Sequence, residues 1–153
     1  MTDKALPIAT KLIAQYEGFT PVPVRDVARW EIGYGFNYLP NGAAVTADTP
    51  HMTEAQALPI LGALVARVLT AVRGMVEVPI SNNQAGALAS FAYNLGTAAL
   101  RTSTLLRVLN AGDCADAADR FGGWVYAGGA ISPGLVKRRA AEKALFLTPD
   151  VEG

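Results

Sequence analysis

Cysteine and histidine are scarce in this chain, which has one of each, Cys114 and His51, among 153 residues. One cysteine cannot form an intrachain disulfide, and one histidine with one cysteine cannot build a typical zinc site. We therefore predict no structural disulfide, no metal and no cofactor. His51 follows Pro50 in a predicted loop, and we interpret it as an exposed residue without a role in a site.

A surplus of charge is lacking too, because 13 Lys and Arg residues balance 13 Asp and Glu residues. Such a chain has no strong field to attract a polyanion, which argues against nucleic acid as a partner. Of all residues, 51% are hydrophobic and 17% are charged. This composition is typical of a compact protein, and the length predicts one domain, which we expect to be monomeric.

Residues 1–7 lack the basic start and the unbroken apolar core of a secretory signal. We therefore expect the chain to be made in the cytoplasm without an export signal of its own. The most membrane-like stretch, residues 57–72, is interrupted by Pro59 and Arg67. A central arginine costs about 2.5 to 3.5 kcal/mol on insertion scales, so we predict a buried helix there and no stable membrane insertion.

Apolar periodicity and capping residues predict a mainly helical chain. Thr53 with Gln56, and Ser81 with Gln84, form capping-box signatures that open two of the helices. The predicted helices cover, in order, residues 7–17, 53–73, 81–95, 103–109, 113–121 and a last segment from Pro133.

Three carboxylates, Glu17, Asp26 and Glu31, lie close together in the sequence. A helix end, a turn and a hairpin are short enough to bring them together, as two-carboxylate sugar chemistry requires. From spacing alone, solvated acids in turns are the more common explanation.

The run from Trp30 to Phe36 alternates as a strand does, with apolar side chains on one face. The other face carries Glu31, Gly33, Gly35 and Asn37. Two glycines weaken a strand unless something must approach its backbone, so an extended ligand could lie there beside Glu31. A turn at residues 40–42 and a returning strand over 43–46 would complete an antiparallel sheet of two or three strands.

Several short blocks follow one another along the chain, each weak alone and specific in their order and separations. The blocks are Glu17-Gly18-Phe19, Arg25-Asp26, Ile32-Gly33-Tyr34-Gly35, Phe91-Ala92-Tyr93-Asn94-Leu95-Gly96, Thr104-Leu105-Leu106, Leu109-Asn110-Ala111-Gly112-Asp113, Trp124, Pro133-Gly134-Leu135-Val136 and Arg138-Arg139. Together they resemble the phage-type lysozymes, glycoside hydrolase family 24, from about residue 11 to residue 146.

The resemblance implies an α+β, mainly α-helical, lysozyme-like fold with two lobes. A small lobe with an antiparallel sheet would span about residues 15–58, and a helical lobe residues 1–14 and 74–153. A long helix over about residues 53–73 would join them into a single domain, residues 1–153.

The resemblance also implies an endolysin that cuts the β-1,4 bond between N-acetylmuramic acid and N-acetylglucosamine in peptidoglycan. Glu17 matches the general acid of the family and Asp26 its second carboxylate. Such an enzyme is made in the bacterial cytoplasm and reaches periplasmic peptidoglycan through a membrane lesion made by a phage holin. Its partners would be glycan strands, with no nucleic acid.

Two residues depart from the family pattern. Glu31 stands where the family usually has a threonine that helps to hold the attacking water, and it follows Asp26 by five residues where the common pattern has six. Glu31 could be the base, could attack the sugar covalently, or could displace the water and impair the enzyme. Phe36 replaces a histidine, which we expect to change packing more than activity.

Other candidates carry two interpretations each. Tyr93 and Asn94 match the cleft wall of the family and could bind sugar, or could be core and helix terminator. Trp124 and Tyr126 could stack on sugar rings, but we interpret them as core aromatics. Arg138 could pair with Glu17, but a solvated basic face on the last helix is the interpretation that the sequence favours.

Two other functions stay open. A lytic transglycosylase needs one catalytic acid and no water, and Asp26 argues against it. A non-catalytic peptidoglycan-binding protein would have kept the cleft and lost the reaction, and Glu31 keeps this alternative open.

Overall fold

The computed structural model describes residues 2–151. Most of the described chain is helical, with two short antiparallel hairpins. The elements are α1 (Ala5–Glu17), β1 (Thr20–Asp26), β2 (Arg29–Gly33), α2 (Glu54–Met75), α3 (Asn82–Leu95), α4 (Thr97–Arg101), α5 (Thr104–Asn110), α6 (Cys114–Arg120), a 3-10 turn (Phe121–Gly123), β3 (Tyr126–Ala127), β4 (Ala130–Ile131) and α7 (Pro133–Leu147).

Helix α3 is the centre of the fold, with nine buried residues and contacts to α1, α2 and α7. The predicted capping box opens it: Ser81 Oγ accepts a hydrogen bond from the Gln84 amide at 3.0 Å, and Gln84 Oε1 accepts one from the Ser81 amide at 2.8 Å. Gly86 lets α1 approach closely, because a Cβ there would lie 2.8 Å from Cγ2 of Ile8. The N-terminal half of α1 is thereby held against α3.

Helix α2 begins at the predicted capping box of Thr53 and Gln56 and runs for 22 residues. Pro59 lies inside the helix rather than at its first turn. The helix is apolar and long enough to cross a membrane by length and composition. The prediction of a buried helix is only partly correct, because one face packs on the core and the other is open. The buried face is formed by Ala57, Leu61, Val65, Leu69 and Val72.

The first hairpin pairs β1 with β2, with Val24 opposite Glu31 and Asp26 opposite Arg29. The predicted strand to Phe36 is too long, because β2 ends at Gly33, where φ is +70° and the backbone turns. The returning strand over residues 43–46 is reduced to one isolated bridge within the described part of the chain. The loop after the hairpin is therefore irregular.

The second hairpin, β3–β4, and helix α4 were not predicted. Trp124 packs edge-on against Phe91, with ring centroids 5.3 Å apart, as expected of a core aromatic. Tyr126 is 62% exposed, so its assignment to the core is wrong. It lies in a two-residue strand at the surface, where no layer covers it.

Helix α7 buries the face that the sequence predicted to be solvated. Arg138 and Arg139 are 4% and 1% exposed, and Glu142 is fully buried. Val136, placed on the predicted apolar side, is 43% exposed. The expected basic face is wrong because these charges neutralise and hydrogen-bond one another, which is the condition for burying charge.

Candidate active site

A cleft of about 570 Å³ brings most of the predicted site residues together. The end of α1, the hairpin and the following loop form one side, and α2 and the end of α3 form the other. The predicted residues that line it are Glu17, Glu31, Gly35, Asn37, Tyr93 and Asn94. Leu64, Arg67, Tyr38 and Thr97 also line it and were not predicted.

Glu17 stands at the C-terminus of α1, where Gly18 ends the helix with φ at +70°. Its Oε2 atom accepts a hydrogen bond from Arg138 in an ion pair whose side chains are 20% and 5% exposed. Its Oε1 atom faces Gly35 across the cleft. Arg138 therefore holds one oxygen and leaves the other free to meet a substrate.

Arg138 belongs to a buried charged network that the sequence did not predict. Glu142 accepts hydrogen bonds from Arg138 Nε at 3.4 Å, from Ser90 Oγ at 2.6 Å and from Arg139 Nη1. Arg139 also donates to Oδ1 of Asn94, at the cleft wall. The buried side-chain polar atoms of the described residues all have partners, so the network is complete.

Glu31 and Glu17 both lie near Gly35 in the cleft. A Cβ built on Gly35 would lie 2.8 Å from Oε1 of Glu17 and 4.0 Å from Oε2 of Glu31. Both carboxylates therefore approach Gly35, and that of Glu17 lies closer to it. Burial, and then the charges of Asp26 and Glu17, raise the pKa of the Glu31 carboxyl.

Asp26 lies outside this cleft, at the exposed end of β1. It lines an adjoining hollow with Glu31 and Asn37. The structure therefore places Glu31 between the other two acids, in contact with both spaces. Sequence spacing could not show this order, because it depends on how the hairpin turns.

The other predicted site residues have different surroundings. Gly33 does not face a ligand as expected: it is buried, and a Cβ there would lie 2.6 Å from the ring of Phe36. Asn37 donates to the Trp30 carbonyl at 3.3 Å. Tyr93 donates to the Tyr34 carbonyl at 3.3 Å, and burial raises the pKa of its hydroxyl, which therefore stays protonated.

Phe36 and His51 can also be placed. Phe36 is 4% exposed and packs edge-on against Tyr34, so the residue that departs from the family pattern has a packing role. His51 is exposed on the loop before α2. Among residues 2–151, no cluster of three His, Cys, Asp or Glu side chains could hold a metal ion.

The spacing of α7 could have revealed the missed network. Arg138 and Glu142 are four residues apart, and Arg139 and Glu142 are three apart, so all three lie on one helical face. Phe146 continues the same face. Two arginines and one glutamate on the same helical face as a phenylalanine indicate that the charged side chains pair with one another and that this face is buried.

We expect Gly35→Ala to reduce kcat by about 10²-fold, because the methyl group would displace Glu17 and a misplacement near 1 Å has that effect. The φ of +77° at Gly35 adds backbone strain. Peptidoglycan turnover measures the effect. Gly112→Ala is the control, because its φ is +91° and no atom lies within 4 Å of the new methyl group. Equal activity of the two variants would contradict the geometry.

We expect Glu31→Gln to raise the free energy of unfolding at neutral pH. The folded protein raises the pKa of Glu31, so the ionised group destabilises the fold above that pKa and has no such effect below its ordinary value of 4.5. The gain should therefore vanish as pH falls through this range. Urea unfolding at several pH values measures it, with Asp48→Asn on an exposed loop as the control. A gain that grows on acidification would contradict the assignment.

Comparisons with known proteins identify the family of this chain. A protein-family model described as "Phage lysozyme" matches residues 14–142. The endolysin of Acyrthosiphon pisum secondary endosymbiont phage 1 is 38% identical over 140 residues, which cover 88% of this chain and 92% of that protein. The endolysin of Bacillus phage B103 is 43% identical over 140 residues, covering 90% of this chain and 51% of that longer protein.

Two solved structures have the same fold. The muramidase domain of SpmX from Asticaccaulis excentricus superposes with a TM-score of 0.84 at 31% identity, covering 97% of this chain and all of that one. The endolysin from Escherichia coli O157:H7 phage FAHEc1 superposes with a TM-score of 0.85 at 30% identity, covering 96% and 94% of the two chains.

The mainly helical α+β fold shared with these structures, together with the endolysin relatives, defines a lysozyme-type glycoside hydrolase. The chain belongs to the phage lysozyme family. The fold class and the family resemblance predicted from the sequence are thereby confirmed. The lobe boundaries given above stay a prediction.

Proposed function

We propose that this chain is an endolysin that hydrolyses the β-1,4 bond between N-acetylmuramic acid and N-acetylglucosamine in bacterial peptidoglycan. The observation that carries the proposal is that Glu17 and Glu31 line one open cleft and both approach Gly35. The names of the relatives, endolysin and muramidase, support the same substrate.

Glu17 is the general acid in this proposal. Breaking a glycosidic bond requires a proton on the leaving oxygen while an oxocarbenium-like centre forms on the sugar. Arg138 holds Oε2 of Glu17, so the proton is delivered from Oε1, which faces the cleft. After proton transfer, the carboxylate left behind forms an ion pair with Arg138, which stabilises the new charge.

Glu31 is the carboxylate that faces the developing positive charge. It lines the same cleft as Glu17, whereas Asp26, the second carboxylate implied by the family resemblance, lines the adjoining hollow. We propose that Glu31 carries the second catalytic role and that Asp26 acts on it through charge. In this role Glu31 would either attack the sugar directly, which uses a carboxyl separation of about 5 to 5.5 Å, or activate a water, which uses about 6.5 to 9.5 Å.

Tyr93, Asn94 and Asn37 are proposed to bind the sugar. All three line the cleft. Arg139 occupies Oδ1 of Asn94, so the amide nitrogen of Asn94 is the group left to donate to a sugar oxygen. Gly35 supplies bare backbone against which the sugar can lie.

The products of digestion test the proposal. Purified protein incubated with peptidoglycan should release muropeptides with reducing ends, because a hydrolase adds water to the broken bond. Mass spectrometry distinguishes these from the anhydro-sugars that a lytic transglycosylase forms. Binding without release across the pH range would instead support a non-catalytic glycan-binding protein and overturn the proposal.

We also propose that the enzyme is made in the host cytoplasm and reaches periplasmic peptidoglycan through a holin lesion. Among the described residues only α2 is long and apolar enough to cross a membrane, and its buried face belongs to the protein core. Several relatives are named SAR-endolysins, including that of Enterobacteria phage PA-2, which is 33% identical over 132 residues. Expression of this protein in bacteria with and without a holin tests the route. We expect the cells to lyse only when the holin is present, and lysis without it would overturn this proposal.

A further inference from the structure

Arg139 is 1% exposed, so it lies behind the wall of the cleft rather than on its surface. Its guanidinium group is held by several partners: Nε donates to the Trp124 carbonyl at 2.9 Å, and Nη1 donates to Glu142. Its Cζ atom lies 5.2 Å from the ring centroid of Phe91. The remaining nitrogen, Nη2, donates to Oδ1 of Asn94. A planar group with this many fixed partners is held in one orientation.

The burial of this charge is costly. Desolvation lowers the pKa of the Arg139 guanidinium, because it disfavours the charged form, and the counter-charge of Glu142 is shared with Arg138. A buried ion pair often adds no stability by comparison with apolar side chains of similar volume. Of the contacts that Arg139 makes, the one with Asn94 reaches a residue that lines the cleft. An effect on Asn94 would explain why a charge is buried here.

The side chain of Asn94 has two different ends, an oxygen that accepts hydrogen bonds and a nitrogen that donates them. An asparagine that is free to turn could present either end to a ligand. Arginine has no acceptor, so Arg139 binds the oxygen and fixes the direction of the amide. Asn94 is half-buried near the end of α3, and within residues 2–151 no protein oxygen accepts a hydrogen bond from its Nδ2 atom. The nitrogen is therefore left for a ligand.

Asn37, which lines the same cleft from the loop after the first hairpin, is fixed in the opposite sense. Its Nδ2 atom donates to the Trp30 carbonyl at 3.3 Å, so its oxygen is the end left for a ligand. The cleft therefore has one asparagine held as an acceptor and another held as a donor. A sugar, whose hydroxyl groups both donate and accept, can satisfy the two together.

We propose that Arg139 is a positioning residue for the glycan, which turns Asn94 so that its wall of the cleft presents a hydrogen-bond donor. Arg139 does not touch the glycan itself. A sugar oxygen accepts from Nδ2 of Asn94 without first having to order this side chain, and the avoided loss of entropy is a gain in affinity. This inference rests on the proposed function only in supposing that a glycan of N-acetylated sugars enters the cleft.

Binding of a tetramer of N-acetylglucosamine tests the donor, because calorimetry measures the affinity whether or not the protein cuts peptidoglycan. Asn94→Asp keeps an oxygen for Arg139 and replaces the donor with a second oxygen. We expect it to bind the tetramer about tenfold more weakly, which is the effect of losing one hydrogen bond. Asn41→Asp is the matched control, because Asn41 is exposed and its Oδ1 atom accepts from the Ala43 amide at 2.9 Å, as an aspartate also can. The tetramer is uncharged, so the added negative charge is the same for both variants and does not itself attract or repel the ligand.

Arg139→Lys, alone and together with Asn94→Ala, tests the positioning. Lysine keeps the charge that Glu142 requires but has one nitrogen in place of the fork, so Asn94 becomes free to turn. We expect Arg139→Lys alone to weaken binding about two- to tenfold, which is the effect of ordering one side chain upon binding. In the Asn94→Ala background it should leave the affinity unchanged. A role in stability alone would change the affinity equally in both backgrounds.

Unchanged affinity in Asn94→Asp or in Arg139→Lys, or equal weakening by Arg139→Lys in both backgrounds, would overturn the inference. If Arg139→Lys does not fold, urea unfolding of Asn94→Asp decides: weaker binding with undiminished stability supports the inference, and weaker binding with a loss of stability overturns it. Absence of tetramer binding by the unaltered protein would also overturn it. Failure to cut peptidoglycan, with the expected affinity changes present, would overturn the proposed reaction and leave the role of Arg139 standing.

Discussion

Glu142→Gln is expected to lower the free energy of unfolding by about 3 to 5 kcal/mol, the usual effect of removing one member of a buried ion pair. Glu142 is fully buried and accepts hydrogen bonds from Arg138, Arg139 and Ser90. Its loss leaves two buried guanidinium groups without their shared counter-charge. Because a domain of this kind has about 5 to 15 kcal/mol of stability in total, the change is large.

Urea unfolding of Glu142→Gln and of Lys143→Gln compares the loss of a buried charge with the loss of a surface charge on the same helix, α7. Lys143 pairs with Asp119 at 3.0 Å on the surface, where such a pair contributes about 0 to 1 kcal/mol. Glu142→Gln should therefore lower the free energy of unfolding several times more than Lys143→Gln does. Similar midpoints for both would contradict the burial of the network.

Glu17→Gln is expected to reduce turnover of peptidoglycan by about 10² to 10⁴-fold, the contribution of a general acid. The amide keeps the shape of the side chain and can still accept a hydrogen bond from Arg138, so the fold should survive. Its nitrogen carries no proton that can be transferred to a leaving oxygen. The loss should therefore fall on kcat more than on substrate affinity.

Glu77→Gln is the control for this loss, because it removes an exposed carboxylate next to the end of α2. Its turnover should stay within about twofold of that of the unaltered protein, as is usual for surface substitutions away from a site. Circular dichroism of both variants checks that they fold. Glu17→Gln with turnover close to that of the unaltered protein would contradict its role as the acid.

Local signals predicted the helices well. The capping boxes at Thr53 and Ser81 each place the first turn within a residue of its observed position. Both depend on contacts between residues three apart, which are visible in the sequence. The end of α3 at Gly96 is another local signal, because a glycine just after the apolar pattern is a helix terminator.

The cleft was harder to predict because it depends on contacts distant in the sequence. Arg138 meets Glu17 across 121 positions, and Arg139 meets Asn94 across 45. The sequence favoured a solvated Arg138 since hydrophobicity scales assign charge to the surface. Its pairing with Glu142 and Glu17 reverses that preference. The pair with Glu142 is visible in the spacing along α7, but the pair with Glu17 is not.

The positions of Glu17, Glu31 and Asp26 relative to the cleft could also not be predicted from the sequence. Alternation along a strand would have put Gly33 and Gly35 on the same open face, but β2 ends at Gly33 and the turn that follows buries it. Of these two glycines Gly35 reaches the cleft, where Glu17 and Glu31 both approach it. The positive φ values at both glycines produce this turn.

The pH dependence of kcat/KM for Asp26→Asn, beside that of Glu31→Gln, tests the assignment of the carboxylates most directly. Asp26 is one of the two charges that raise the pKa of Glu31, so Asp26→Asn should move the acid limb of the profile to lower pH. The kcat/KM at the plateau should stay within about tenfold of that of the unaltered protein. Glu31→Gln should lose about 10² to 10⁴-fold at every pH. Abolition of turnover by Asp26→Asn, with substantial turnover kept in Glu31→Gln, would contradict the account.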